Sequence, residues 1–368
     1  MPFLIVYLLD KGLSFFEIGI MVSGYAVGAF LFEIPTGAFA DGYSRKKSVL
    51  LGLFSSSIII FLFPFANSML LFFILWTLLG ISFTFISGAE DAWVLGNLNF
   101  KRQKKLKHEY FVKVGSIMGL GMVIGPLIGV FIVKHFSMDW LWYIFSAGTF
   151  LSALLFLSIN EYYRPKKTSI RKALKNNWSL TKEGFSVIKT RKNLLFLLLG
   201  GAFLSFVDLG YEAWQPFLVE LTLPVHALGY VFSGLGLIMV FVPFISNYLK
   251  HYPIKKVLII SEIIAALFLA TIFFILPPHF FLAIFVLLIT GFFDKLQHPL
   301  IEVYMHSHIP DKVRATTVSI NSAFRVILAA SVSVIGGLLL NYFPMRYVIS
   351  FGAVFVIGAV YFYSKLKN

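Results

Sequence analysis

Ten hydrophobic stretches run from Phe15 almost to the C-terminus, each set off from the next by a charge cluster, a proline or a polar turn. One of them, residues 263–293, is long enough for two helices and divides at Pro277-Pro278. Residues 48–66, 68–89, 114–133, 140–160 and 326–345 contain no Asp, Glu, Lys or Arg. A helix needs roughly 20 apolar residues to cross bilayer hydrocarbon, and each run meets or nearly meets that length. Backbone polar groups in hydrocarbon must be satisfied within the segment, so these runs are helices and not strands. Charged residues are 13% of the chain, about half the roughly 25% of soluble domains. A buried core of this size would need amphipathic helices to cover it, and the chain has almost none. The fold class is all-α integral membrane.

The net charge of +14 suggests a polyanion partner until its distribution is read. Of the 31 Lys and Arg residues, 25 lie in every second loop or at the C-terminus, including Arg45-Lys46-Lys47 and ten between Arg164 and Lys192. The intervening loops hold only Lys11, Lys134 and Arg346. This alternation places the basic loops and the C-terminus in the cytoplasm, so the charge reports topology and not nucleic-acid binding. With no cysteine in the chain, disulfides, thiolate metal sites and thiol catalysis are excluded.

Eleven full helices are expected, near 15–40, 48–66, 68–97, 109–133, 139–160, 193–219, 227–249, 254–276, 279–308, 312–341 and 345–363. The longest polar segment, 161–192, separates two halves. Within it Ile170, Leu174, Trp178, Phe185 and Ile188 fall near one helical face among lysines. This suits either an amphipathic helix on an anionic leaflet or a solvated basic linker. The halves repeat each other: Gly19, Ser23 and Gly24 match Gly229, Ser233 and Gly234, Pro2-Phe3-Leu4 matches Pro216-Phe217-Leu218, and Pro35 with Lys47 to Leu50 matches Pro243 with Lys255 to Leu258. Repeated halves are a common plan of secondary transporters, with the substrate site between them. By this register, residues 1–9 are the outer end of a first helix whose remainder is missing, through truncation, a misplaced start or degeneration. The stub has neither the apolar length nor the basic flank of a signal peptide.

Between the first two long segments stands Gly37, Ala40, Asp41, Ser44, Arg45 and Lys46. This stretch resembles the signature loop of the major facilitator superfamily, glycine-x-x-alanine-aspartate-x-x-glycine-arginine-lysine, with Ser44 in place of the second glycine and Gly42 where a basic residue is usual. Together with Glu33, Pro35 and Gly37 before it and Ser87, Gly88, Glu90, Asp91 and Trp93 further on, the chain looks most like the drug:proton antiporter branch that includes tetracycline and macrolide exporters. The resemblance implies two pseudo-symmetric six-helix bundles, residues 1–160 and 193–368, joined by the linker 161–192. It also implies that Asp41 faces a helix N-terminus of the other half, where the positive end of the helix dipole would favour it. Arg45 is expected to reach Glu90 or Asp91, making Asp41, Arg45, Lys46, Glu90 and Asp91 a cytoplasmic gate; a solvated positive-inside turn is the plainer alternative. Gly125, Pro126 and Gly129 resemble the antiporter motif of exporters, and equally allow close helix packing.

Charges inside the membrane are expensive and usually functional. At 1.5 Å per residue, Asp208, Asp294 and Arg325 lie about 20–22 Å from the cytoplasmic ends of their helices, near the midplane. Helical spacing puts Asp294, His298 and Glu302 on one face, and Asp208 with Glu212 on another. Hydrocarbon burial favours protonated carboxyls and a guanidinium opposes that, so Asp294 with Arg325 is either a proton site or a static pair. Lys295 is an alternative cation for Asp294. Asp208 has no obvious local cation and is the leading protonation candidate. Glu33 either joins the coupling or caps the cytoplasmic charge network. Lys113 is expected to snorkel.

Enzyme motifs are missing. A Gly-Lys-Ser/Thr phosphate loop does not occur, so ATP does not drive transport within this chain. The histidines show no metal-ligand spacing; His298, His306 and His308 come closest. The expected protein is a monomeric, multi-pass transporter of the plasma (inner) membrane that exports a small amphipathic compound against protons by alternating access. It needs no cofactor beyond the proton gradient. A nutrient importer or facilitator, and a non-transporting sensor or degenerate remnant, are the other readings.

Overall fold

The computed structural model describes residues 1–103, 105–162, 189–249, 251–309 and 314–366. These residues are helical throughout, with short turns and no strands among them. The helices are α1 (Leu4–Asp10), α2 (Phe15–Gly42), α3 (Arg45–Leu62), α4 (Met69–Thr84), α5 (Ala89–Phe100), α6 (Leu106–His135), α7 (Asp139–Leu157), α8 (Lys192–Ser205), α9 (Trp214–Glu220), α10 (Leu228–Leu249), α11 (Ile254–Thr271), α12 (Phe280–His308), α13 (Arg314–Tyr342) and α14 (Met345–Ser364). Counting short 3₁₀ extensions, eleven helical segments among the described residues are long and apolar enough to cross a membrane. Large apolar side chains such as Phe244, Phe281 and Ile357 are exposed along them. In water such a surface would aggregate, whereas in lipid it is solvated. The positions Ile170, Leu174, Trp178, Phe185 and Ile188 lie outside the described residues.

Two of the expected continuous helices are interrupted. The segment expected at 68–97 breaks between α4 and α5, where Gly88 takes φ +71°. That left-handed backbone is open to glycine and strained for other residues. Around it the chain turns through short-range bonds, Ser87 N–H to the Phe83 carbonyl at 2.9 Å and Ala89 N–H to the Ser87 carbonyl at 2.8 Å. The segment expected at 193–219 changes pitch at Phe206–Ala213, eight residues of 3₁₀ helix between α8 and α9. Runs of 3₁₀ longer than three or four residues are uncommon and often mark functional positions.

The helices pack as two compact units. One contains Met1–Ile20, Gly119–Lys134 and the described part of Leu180–Asn368; the other contains Met21–Met118 and the described part of His135–Ser179. In the first unit, α1 is tied to the helix that follows the 3₁₀ segment. Ile5 N–H donates to Gln215 Oε1 at 2.9 Å, and Gln215 Nε2 donates to the Met1 carbonyl at 2.9 Å. The repeated Pro-Phe-Leu segments are therefore neighbours. The repeated glycines also make equivalent contacts: Gly19 sits against the Ser333 carbonyl and Gly229 against the Pro126 carbonyl. Ser233 Oγ, one turn beyond Gly229, donates to the Val123 carbonyl at 2.8 Å. Small residues let helix backbones approach in lipid, where packing and hydrogen bonds replace the hydrophobic effect.

The second unit is held by aromatic stacking and small polar crossings. Phe63 stacks on Trp142 with ring centroids 4.0 Å apart, and Phe72 packs edge-on at 5.1 Å. Ser146 Oγ donates to the Ser57 carbonyl at 2.8 Å, joining α3 to α7.

Candidate functional site

A cavity of about 550 Å³ lies inside the first unit. Its charged lining is Asp208 from the 3₁₀ segment, Glu262 from α11, and Asp294 and Lys295 from α12. Trp214, Phe232 and Met239 are among its apolar walls. The 3₁₀ geometry decides what faces inward. With three residues per turn, side chains at i and i+3 eclipse, while i and i+4 diverge by about 120°. Asp208, Tyr211 and Trp214 accordingly line the cavity together. Leu209 and Glu212 point elsewhere and are 2% and 3% exposed. The expectation that Asp208 and Glu212 share a face, which holds for an α-helix, is thus corrected by the change of pitch. Glu212 instead accepts a hydrogen bond from Ser333 Oγ of α13. Its other oxygen, Oε2, is buried without a partner.

The ion pair of Asp294 is with its neighbour Lys295, at 2.7 Å. Among the described residues no ion pair joins it to Arg325, which is exposed on α13. The Asp294–Arg325 pairing is therefore corrected in favour of Lys295, whose ammonium reaches the adjacent carboxylate directly. His298 is half-buried and Glu302 exposed on the same continuous helix. Glu33 is exposed on α2, and Thr36 Oγ1 donates to the Phe32 carbonyl at 2.8 Å one turn away.

Glu262 was not among the sequence candidates. It is 6% exposed, lines the cavity and accepts a hydrogen bond from Gln297 Nε2 at 2.8 Å. Its signal was present in the sequence, as the sole acid in the hydrophobic segment 254–274. It lies about 12 Å along the helix from Ile254, shallower than the other acids and so outside a midplane search.

The signature loop lies in the second unit. Arg45 pairs with Asp41 at 3.0 Å and donates through Nη1 to the Ala92 carbonyl at 2.8 Å. Glu90 and Asp91 are exposed at the start of α5. Asp91 accepts from the Tyr110 hydroxyl at 2.9 Å. The guanidinium thus joins the end of α2 to the α5 backbone from the first residue of α3. The carboxylate that organises this loop is Glu161. It accepts from Ser44 Oγ at 2.6 Å, Arg45 N–H at 3.1 Å and Lys46 N–H at 3.2 Å. An anion at the first turn of α3 satisfies backbone donors that have no partner within the helix. Lys46 Nζ donates to the Leu157 carbonyl at 2.8 Å. Glu161 follows the last hydrophobic residue of its half and reads in sequence as ordinary linker.

The glycine-proline motif of α6 divides in two. Pro126 and Gly129 meet Gly229 and Phe3, whereas Gly125 faces open space within 4 Å. Gly125 is thus not a packing contact in this arrangement, because α10 and α1 approach the other side of α6.

Comparison with known proteins gives these features a family. The profile described as Major Facilitator Superfamily matches residues 1–250 and 213–367. An uncharacterized MFS-type transporter, YxaM, of Bacillus subtilis (strain 168) is 24% identical over 100% of this chain and 92% of its own length. Multidrug resistance protein 1 of the same organism is 25% identical over 89% of this chain and 82% of its own. The crystal structure of the nucleoside transporter NupG (D323A mutant) superposes with a TM-score of 0.76 at 15% identity, covering 100% of this chain and 95% of that one. At that identity the likeness is one of fold. The profile spans both repeated halves, the membrane-spanning helices and the signature loop, and the chain belongs to the major facilitator superfamily of membrane transporters.

Proposed function

We propose that this transporter exports a small, amphipathic, cationic compound in exchange for protons. The observation that carries this reading is the charge of the cavity side chains: three carboxylates, Asp208, Glu262 and Asp294, against the Lys295 ammonium, among aromatic and thioether walls. Uncompensated carboxylates in a low-dielectric site attract a cation strongly. The faces of Trp214 and Phe232 suit an organic cation better than a hydrated metal ion. The same carboxylates hold protons when no cation is present, so substrate and proton compete for one charge and exchange becomes obligatory. The similarity to Multidrug resistance protein 1 supports export. The protein then acts as a monomer in the cell membrane, with its basic loops and C-terminus in the cytoplasm.

Everted vesicles containing the protein test this reading, with an internal pH dye and tetraphenylphosphonium as the probe cation. On energisation the lumen acidifies, and addition of the probe discharges the pH gradient at a rate that depends on the protein. Asp208→Asn and Asp294→Asn reduce that discharge at least tenfold. Uptake of the probe cation without proton movement would make the protein a facilitator, and unaltered exchange in both variants would remove these residues from the site.

A further inference from the structure

The contact between Glu262 and Gln297 has one unsatisfied atom. Gln297 is 3% exposed, and its Nε2 donates to Glu262 Oε1 at 2.8 Å and to the Phe293 carbonyl at 3.3 Å. Its Oε1 is buried with no hydrogen-bond partner. A buried amide oxygen left unpaired costs about 1–3 kcal/mol, so a donor is expected beside it. The group already bonded to this amide is a carboxyl, and a protonated carboxyl is a donor.

We propose that Glu262 and Gln297 form an acid–amide pair, in which the Glu262 carboxyl holds a proton and donates it to Gln297 Oε1 while Gln297 Nε2–H is donated to Glu262 Oε1. The pair is then neutral and fully satisfied. The step is a proton transfer alone: hydronium entering the cavity gives a proton to a Glu262 carboxylate oxygen and leaves as water, and the same O–H bond breaks to water when Glu262 ionises. Ionisation leaves the amide oxygen without a partner and adds a negative charge to the cavity. Both changes are reversed by reprotonation, or the charge is met by a cationic substrate. The charged and titratable groups around the pair are Asp294, Lys295 and His298 on α12, Asp208 on the 3₁₀ segment, Arg325 on α13 and the Tyr363 hydroxyl on α14. Of these, the Tyr363 hydroxyl is itself buried without a partner. The carboxyl lines the cavity, so the proton has a route in and out. The pair's role in coupling rests on the proposed exchange, but its existence does not.

Infrared difference spectra of the full chain in proteoliposomes, acid against alkaline, test the pair. The unaltered protein shows a carboxylic-acid carbonyl band that disappears on alkalinisation. Glu262→Gln removes that band, and Gln297→Leu keeps it but moves it to higher frequency, because the acid has lost its acceptor. A spectrum unchanged by Glu262→Gln overturns the proposal. If that variant does not fold, Gln297→Leu decides alone, and a band of unchanged frequency overturns it. Band present with no proton-linked transport sinks the function and keeps the pair; exchange intact with no such band does the reverse.

Discussion

The closest test of the helix packing is Gly229→Val. A Cβ at this position would lie 2.5 Å from the Pro126 carbonyl oxygen and 3.2 Å from the Phe3 ring. Real Cβ contacts essentially never fall below 3.0 Å, so α10 must retreat from α6 by at least 0.5 Å, and valine adds two more carbons. Overpacking of this kind costs about 1–3 kcal/mol. If the contact opens during transport, that cost falls on the packed state alone and shifts the equilibrium toward separation by about 5- to 150-fold. The chain has no native cysteine, so spin labels on Phe131→Cys and Tyr230→Cys, two exposed positions beside the contact, report on it without background. Gly229→Val lengthens or broadens the distance distribution between them. Gly121→Ala, at a glycine with open space around it, leaves the distribution unchanged. An unaltered distribution in a well-folded Gly229→Val protein would refute the packing argument.

Three other outcomes are expected. Glu161→Ala removes the acceptor of three hydrogen bonds at the start of α3 and costs about 1–3 kcal/mol, read as a lower thermal midpoint, with Glu161→Gln intermediate. Gly88→Ala places a side chain at φ +71° and costs about 1–2 kcal/mol, whereas Gly148→Ala, mid-helix with open space around it, is neutral or slightly stabilising in the same melt. Phe63→Ala takes the centre out of the Trp142 and Phe72 stack and costs about 3–5 kcal/mol, enough to lower the yield of folded protein in detergent size-exclusion profiles.

The membrane class, the number of spans and their approximate ends were legible because a bilayer imposes length and apolarity directly on sequence. The repeat was legible too, since matched Gly and Pro positions survive as letters. Less of the candidate site could be read. Asp208 and Asp294 stood out as charges near the midplane, but Glu262 did not, and its amide partner Gln297 carries no charge to betray it. The pairing of Glu212 with Ser333 joins residues 121 positions apart, a separation that local pattern cannot bridge.

Sequence alone determined that this chain lives in a membrane as two related sets of helices with a few costly charges inside. Those properties follow from one-dimensional rules of hydrophobic length and charge placement. Tertiary structure alone decided which charges face one another. A change from 3.6 to 3.0 residues per turn at Phe206–Ala213 sends Asp208 to the cavity and Glu212 to α13. Helix rotation and pitch are set by packing between distant segments, and so the composition of the cavity appears only once the helices are assembled.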